Sequence, residues 1–323
     1  MPIRRRKRST QKRPWVTLAD VKLAVALPVL WVLALTVREH RWRTLCYRVE
    51  AVRAGLGLIN RPRDGRTLAR VLGRASVDAG AFAIEAAAAC TEHHLQVLRS
   101  RSRGGWSALP RLEGAEHLDA ALGAGRGAVL WVAHFCFHAL AAKKALRLAG
   151  YPVWHVSRPE HGFSRSTLGI ALFNGIRVGA EGEHLAGRIV FERARPGAAA
   201  LAARRVLKRN GIVSITAGDW EGQRIAEIDF FGGRLELAVG APGLARLTGA
   251  SLLPVFTVRG ADEDTIRVVI EPALSRVCTG TSDQALDAAA QTFGALLERY
   301  VIKYPAQWRD WEKLNMPPER SHR

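Results

Sequence analysis

The chain has 323 residues, 48% of them apolar, which is enough to fill a sizeable core and excludes wholesale disorder. Its 48 basic residues outnumber 29 acidic ones, a formal charge of +19, so the natural partners carry negative charge: anionic lipid, an acidic protein or nucleic acid. The four cysteines, Cys46, Cys90, Cys136 and Cys278, are far apart in sequence with no C-x-x-C pair, a pattern that argues against a disulfide framework and suits a reducing compartment.

Residues 1–43 read as an anchor. Arg4, Arg5, Arg6, Lys7, Arg8, Lys12 and Arg13 form a basic arm, and residues 23–37 (LAVALPVLWVLALTV) follow without a charge. No A-x-A-like cleavage site follows, and Arg38, Arg41 and Arg43 crowd the far side instead. Fifteen helical residues reach roughly 22 Å, short of the roughly 30 Å hydrocarbon core unless residues 15–22 join them. Basic flanks on both sides suit a helix lying in an anionic interface as well as one that spans. The competing expectation is a buried core helix.

Residues 44–112 are rich in Ala, Leu, Arg and Glu, broken at 60–65 (NRPRDG), and predict two or three helices. From residue 113 short β-branched runs alternate with helical stretches: 128–133 (AVLWVA), 152–157 (PVWHVS), 212–217 (IVSITA), 252–258 (LLPVFTV) and 266–271 (IRVVIE). Near-continuous apolar strands separated by helices predict an α/β core over 113–275, a mostly parallel central sheet flanked by helices. The Ala/Leu-rich stretch 282–304, stopped by Pro305, predicts a closing helix within the last unit, 276–323. The cluster Gly123-Ala124-Gly125-Arg126-Gly127 follows a helix and precedes a strand, the reverse of a phosphate cradle, so it reads as a helix stop. Neither a G-x-S-x-G elbow nor a G-x-x-x-x-G-K-[ST] loop occurs.

The chemically informative segment runs from Trp131 to Leu140 (WVAHFCFHAL), where a buried strand delivers His134 at its carboxyl end, the ligand-binding edge of open α/β sheets. An imidazole there is a natural general base for a hydroxyl nucleophile. On a helix His134 and His138 would share a face, with Cys136 near, but there is no H-E-x-x-H glutamate and no third ligand, so no metal is expected.

Residues 111–118 (RLEGAEHL) with 125–135 (GRGAVLWVAHF) resemble the approach to the active site of the bacterial lipid A late acyltransferases, a branch of the lysophospholipid acyltransferase superfamily. Further similar segments follow in order: Ser157-Arg158-Pro159, 207–219 (LKRNGIVSITAGD), Phe230-Phe231-Gly232-Gly233, 240–250 (GAPGLARLTGA), Pro254-Val255-Phe256 and 304–308 (YPAQW). The resemblance covers about residues 20–312. It implies a cofactor-free O-acyltransferase on the cytoplasmic face of the cell inner membrane, moving an acyl group from acyl carrier protein or acyl-CoA to a hydroxyl of a membrane lipid, with His134 as base. Nucleic acid is not the expected partner, because no recognition module is visible and the basic arm precedes an apolar helix.

The family motif is H-x-x-x-x-D/E, and here the fifth residue after His134 is Ala139. Loss of the orienting carboxylate costs about 10⁴ in turnover in serine proteases. Asp219, which follows strand 212–217 and matches the acid of a later family motif, is expected to take its place. Arg158 is expected to meet the developing oxyanion or a lipid phosphate. Phe230, Phe231 and Gly232 are expected to wall the acyl site, with Arg246 and His138 as further substrate contacts. Ala139 also motivates the alternative of a non-catalytic member that keeps a lipid-binding groove.

Overall fold

The structure is a computed structural model, and it describes residues 3–5, 13–60, 63–192, 195–218, 224–260, 264–274 and 282–317. In chain order the elements are β1 (Arg4–Arg5), α1 (Leu18–Thr36), α2 (Trp42–Gly55), α3 (Gly65–Leu72), α4 (Ala79–Ser100), β2 (Arg111–Glu113), α5 (Ala115–Gly123), β3 (Ala128–Val132), α6 (Ala141–Leu148), β4 (Val153–Ser157), α7 (Thr167–Gly169), α8 (Gly175–Gly182), β5 (Gly187–Val190), α9 (Pro196–Lys208), β6 (Ile212–Thr216), β7 (Arg224–Phe230), β8 (Gly233–Ala238), α10 (Gly240–Thr248), β9 (Ser251–Val258), β10 (Arg267–Ile270) and α11 (Ser282–Lys303).

Seven strands form the central sheet in the order β2-β10-β9-β3-β6-β4-β5. The five from β9 to β5 are parallel, while β10 runs antiparallel to β9 and carries β2 with it. The apolar runs of the sequence therefore give an α/β core with a mostly parallel sheet. β3, at its centre, is buried along its whole length. Val129 and Trp131 point into the cluster beneath α11, whereas Ala128, Leu130 and Val132 point into the cluster that packs α5 and α6. Burial on both faces is why this strand reads as a continuous apolar run. Each fully buried Val or Leu contributes about 1.5–3 kcal/mol.

A second layer went unseen in the sequence. β7 and β8 form an antiparallel hairpin against α11, joined through Phe231 and Gly232, both with positive φ (50° and 70°). That two-residue turn matches the right-handed strand twist. Trp131 stacks on Phe293 of α11 at 4.2 Å, and Phe256 of β9 lies flat on Tyr300 at 3.8 Å, so α11 is pinned between sheet and hairpin.

Residues 44–112 contribute three helices. Asp64 caps α3 by accepting the Thr67 N–H at 2.9 Å, and Asp78 caps α4 by accepting the Gly80 N–H at 2.7 Å. α1 starts at Leu18, earlier than the uncharged run, because Thr17 and Asp20 form a capping box. Its 19 residues, mean hydropathy 2.0, are long and apolar enough to cross a membrane, and 17% of that window is buried, unlike a core helix buried all round. Leu27 and Ala34 pack inward toward the α4 cluster, while Val21, Val25, Val29, Val32 and Leu35 are exposed. The Ser164 hydroxyl donates to Asp20 Oδ1 at 2.5 Å, fastening the start of α1 to the loop before α7.

Candidate active site

β3 ends at Val132, and the chain leaves the sheet through turns from His134 to Leu140 before α6 begins at Ala141. The stop that starts β3 is backbone-driven. Gly127 has φ +74°, and a Cβ there would stand 2.7 Å from the Gly211 carbonyl oxygen. With the register thus set at the amino end, five residues of strand carry His134 to the carboxyl edge.

The partner of His134 comes from the other end of the chain. Its Nδ1 lies 2.9 Å from Asp310 Oδ1, across 176 residues of sequence. A carboxylate can only accept, so Nδ1 carries the hydrogen and Nε2 keeps the lone pair. The segment bearing Asp310 is laced to the His134 turn by its main chain: the Arg309 N–H donates to the His134 carbonyl at 3.0 Å, and the Cys136 N–H donates to the Gln307 carbonyl at 2.8 Å. Trp308 and Trp311 anchor it from below, both buried, with Trp311 Nε1 donating to the Pro305 carbonyl at 2.9 Å. Arg63, ahead of α3, donates to the carbonyls of Trp311 and Leu314.

Burial pushes the His134 imidazole below its ordinary range, and the Asp310 carboxylate opposes that shift without cancelling it. Burial would raise Asp310, but the facing His134, with Lys313 at 2.9 Å, holds its carboxyl below the usual range. At neutral pH the arrangement is a neutral imidazole oriented by an ionised carboxylate, the protonation state of a general base.

The other expected residues divide. Ala139, where the motif that this segment resembles carries its acid, is buried and apolar. Asp219 lies outside the described residues; the carboxylate that the described residues bring to His134 is Asp310. Arg158 does leave β4 at the same sheet edge, but β6 stands between β4 and β3, and its carbonyl accepts from Arg188 at 2.6 Å. His138 lies in the turn, not on a helix with His134; its ring meets the His134 ring edge-on at 5.0 Å, and its Nδ1 donates to the Phe135 carbonyl at 2.5 Å. Burial drives its pKa well below the ordinary value, so it stays neutral. Among the described residues no group of three His, Cys, Asp or Glu side chains could hold a metal ion.

The remaining expected residues are placed as follows. Phe230 is fully buried, its ring 5.4 Å from that of Trp308, so it packs behind the segment that bears Asp310. Phe231 and Gly232 form the hairpin turn; a Cβ on Gly232 would meet nothing within 4 Å, whereas one on the neighbouring Gly233 would stand 2.5 Å from the Asn315 carbonyl oxygen. Arg246, in the last turn of α10, precedes β9, whose first residue pairs with Ala128. It therefore sits toward the amino ends of the strands, opposite His134, because a helix feeding a parallel strand ends where that strand begins.

Asp310 was missed because its only local signal is an acid between two tryptophans, just past the 304–308 motif. Compared with protein-family models and with curated proteins, the chain matches none.

Proposed function

We propose that the protein is a membrane-bound O-acyltransferase of the lipid A late acyltransferase type, acting on the cytoplasmic face of the cell inner membrane. The observation that carries this reading is the His134–Asp310 pair at the carboxyl edge of β3. It restores, from a distant segment, the carboxylate missing at Ala139. In the reaction Nε2 of His134 takes the proton of the acceptor hydroxyl as its oxygen attacks the thioester carbonyl, and Asp310 stabilises the imidazolium. The carbon–sulfur bond then breaks, the ester remains on the lipid, and the departing thiolate takes the proton back from Nε2. Arg158, at the same edge, suits a phosphate on the lipid acceptor. The exposed apolar face of α1 and the +19 charge favour an anionic membrane surface, with acyl carrier protein or acyl-CoA as donor.

The test is direct. Full-length protein in detergent, given radiolabelled acyl carrier protein or acyl-CoA and a lipid extract, makes an acylated lipid, and His134→Ala makes none. The second reading, a non-catalytic lipid-binding member, is favoured by one observation, the buried Ala139 at the family's acid position. It predicts no product from the wild type with either donor while lipid binding persists.

A further inference from the structure

Cys90, on α4, and Cys136, in the turn after β3, are 46 residues apart in the chain, yet their Sγ atoms stand 3.3 Å apart. A disulfide requires about 2.05 Å, so a closure of little more than ~1 Å would make one. Cys90, the half-buried member of the pair, is also reachable. Both residues line a cleft of about 330 Å³ shared with Arg53, Trp308 and Arg309, many times the ~10–15 Å³ that one water needs by the same measure.

Their environments assign them different roles. Cys90 is half-buried whereas Cys136 is fully buried; the contact between the two sulfurs, against the opposing effect of burial, and then the Arg309 guanidinium lower the Cys90 thiol. The same contact and burial push Cys136 up. Cys46 lacks such a neighbour: burial first, then Glu92 and Glu50, push it to about 12. The half-buried Cys90 is the thiol a small oxidant meets first and the buried Cys136 stands in contact to resolve it, the arrangement of redox-responsive cysteines.

We propose that Cys90 and Cys136 are a peroxide-responsive thiol pair that closes to a disulfide joining α4 to the turn that carries His134. The Cys90 thiolate attacks one oxygen of hydrogen peroxide; the S–O bond forms, the O–O bond breaks, and hydroxide leaves and is protonated to water. Cys136 then gives up its proton and attacks the Cys90 sulfur of the sulfenic acid. The S–S bond forms, the S–O bond breaks, and a second water leaves. Two electrons and two protons from a dithiol reverse the change. The link bears on the site through the main chain, because the Cys136 N–H is bonded to Gln307, two residues before Arg309, whose own N–H holds the His134 carbonyl.

The experiment uses the full-length protein in detergent, treated with hydrogen peroxide, quenched with iodoacetamide and mapped as non-reduced peptides. Expected are a peptide linking Cys90 to Cys136, a fall from four alkylatable thiols to two, and recovery of all four with dithiothreitol. Cys90→Ser should abolish the link and leave Cys136 alkylatable, while Cys136→Ser should leave a Cys90 sulfenic acid that dimedone traps. The proposal is overturned if Cys90 and Cys136 both remain alkylatable in oxidised wild-type protein, or if the link formed runs to Cys46 or Cys278. The wild-type map decides even where a serine variant fails to fold, and none of these readouts depends on acyl transfer.

Discussion

Arg309 donates its backbone N–H to the carbonyl of His134 at 3.0 Å, so the residue before Asp310 is fixed to the residue that Asp310 orients. Main chain and side chain thus hold the same pair. The imidazole–carboxylate distance is set by a backbone register between the turn after β3 and the segment after α11, and not by the rotamer of one aspartate.

Removing the base should abolish most turnover while leaving the fold. His134→Ala is expected to lower kcat/KM by roughly 10² to 10⁴, with an unchanged circular dichroism spectrum. His138→Ala, which removes a neutral ring bonded to a carbonyl, should cost far less in turnover. Equal losses from the two would refute the assignment of His134 as base.

Asp310→Asn keeps the shape and removes the charge. Turnover should fall by about 10² to 10⁴, since the amide can hold the wrong tautomer and cannot stabilise the imidazolium. Asp219→Asn should then be mild by comparison. A severe loss at Asp219 with full activity at Asp310 would return the orienting role to Asp219.

The pH profile carries a sign that can be checked. Burial lowers the His134 pKa below 6.5, so the base form survives into mildly acidic solution and the acid limb of kcat/KM should lie below pH 6.5. Asp310 opposes that shift, so Asp310→Asn should move the limb still lower while reducing its height. A limb above pH 6.5 in the wild type would contradict the buried, neutral imidazole.

Trp311 tests the support beneath the dyad. It is fully buried, edge-on to Phe82 at 5.5 Å, and fastened through its indole N–H. Trp311→Ala should cost about 3–5 kcal/mol in denaturant unfolding. A loss under about 1 kcal/mol would mean that the segment bearing Asp310 is not packed as described.

The exposed face of α1 should govern fractionation. The wild type is expected in the membrane pellet and resistant to high salt, and Val25→Glu with Val29→Glu should shift it toward the soluble fraction. Charges at a helix centre cost about 2.5–3.5 kcal/mol each in a bilayer. Unchanged pelleting of the double variant would place the membrane contact elsewhere.

What the sequence determined by itself is local and periodic. The apolar runs around 130, 214 and 255 specify strands because burial on both faces demands continuous hydrophobicity, those around 155 and 268 alternate between buried and less buried positions, and Gly127 starts β3 where only glycine fits. His134 follows from those two facts, since strand length alone carries it to the edge. The β7–β8 hairpin was less legible: IAEIDF and GRLELA alternate, but their apolar face is completed only by α11. Asp310, Cys136 beside Cys90, the inward turn of Phe230 and the far placement of Arg246 were decided by tertiary structure. Which side chains meet across a sheet edge depends on the register between segments far apart in the chain, 176 residues for His134 and Asp310 and 46 for Cys90 and Cys136. That register is set by many weak apolar contacts, among them Trp308, Trp311 and Phe82, and no spacing in the chain encodes it.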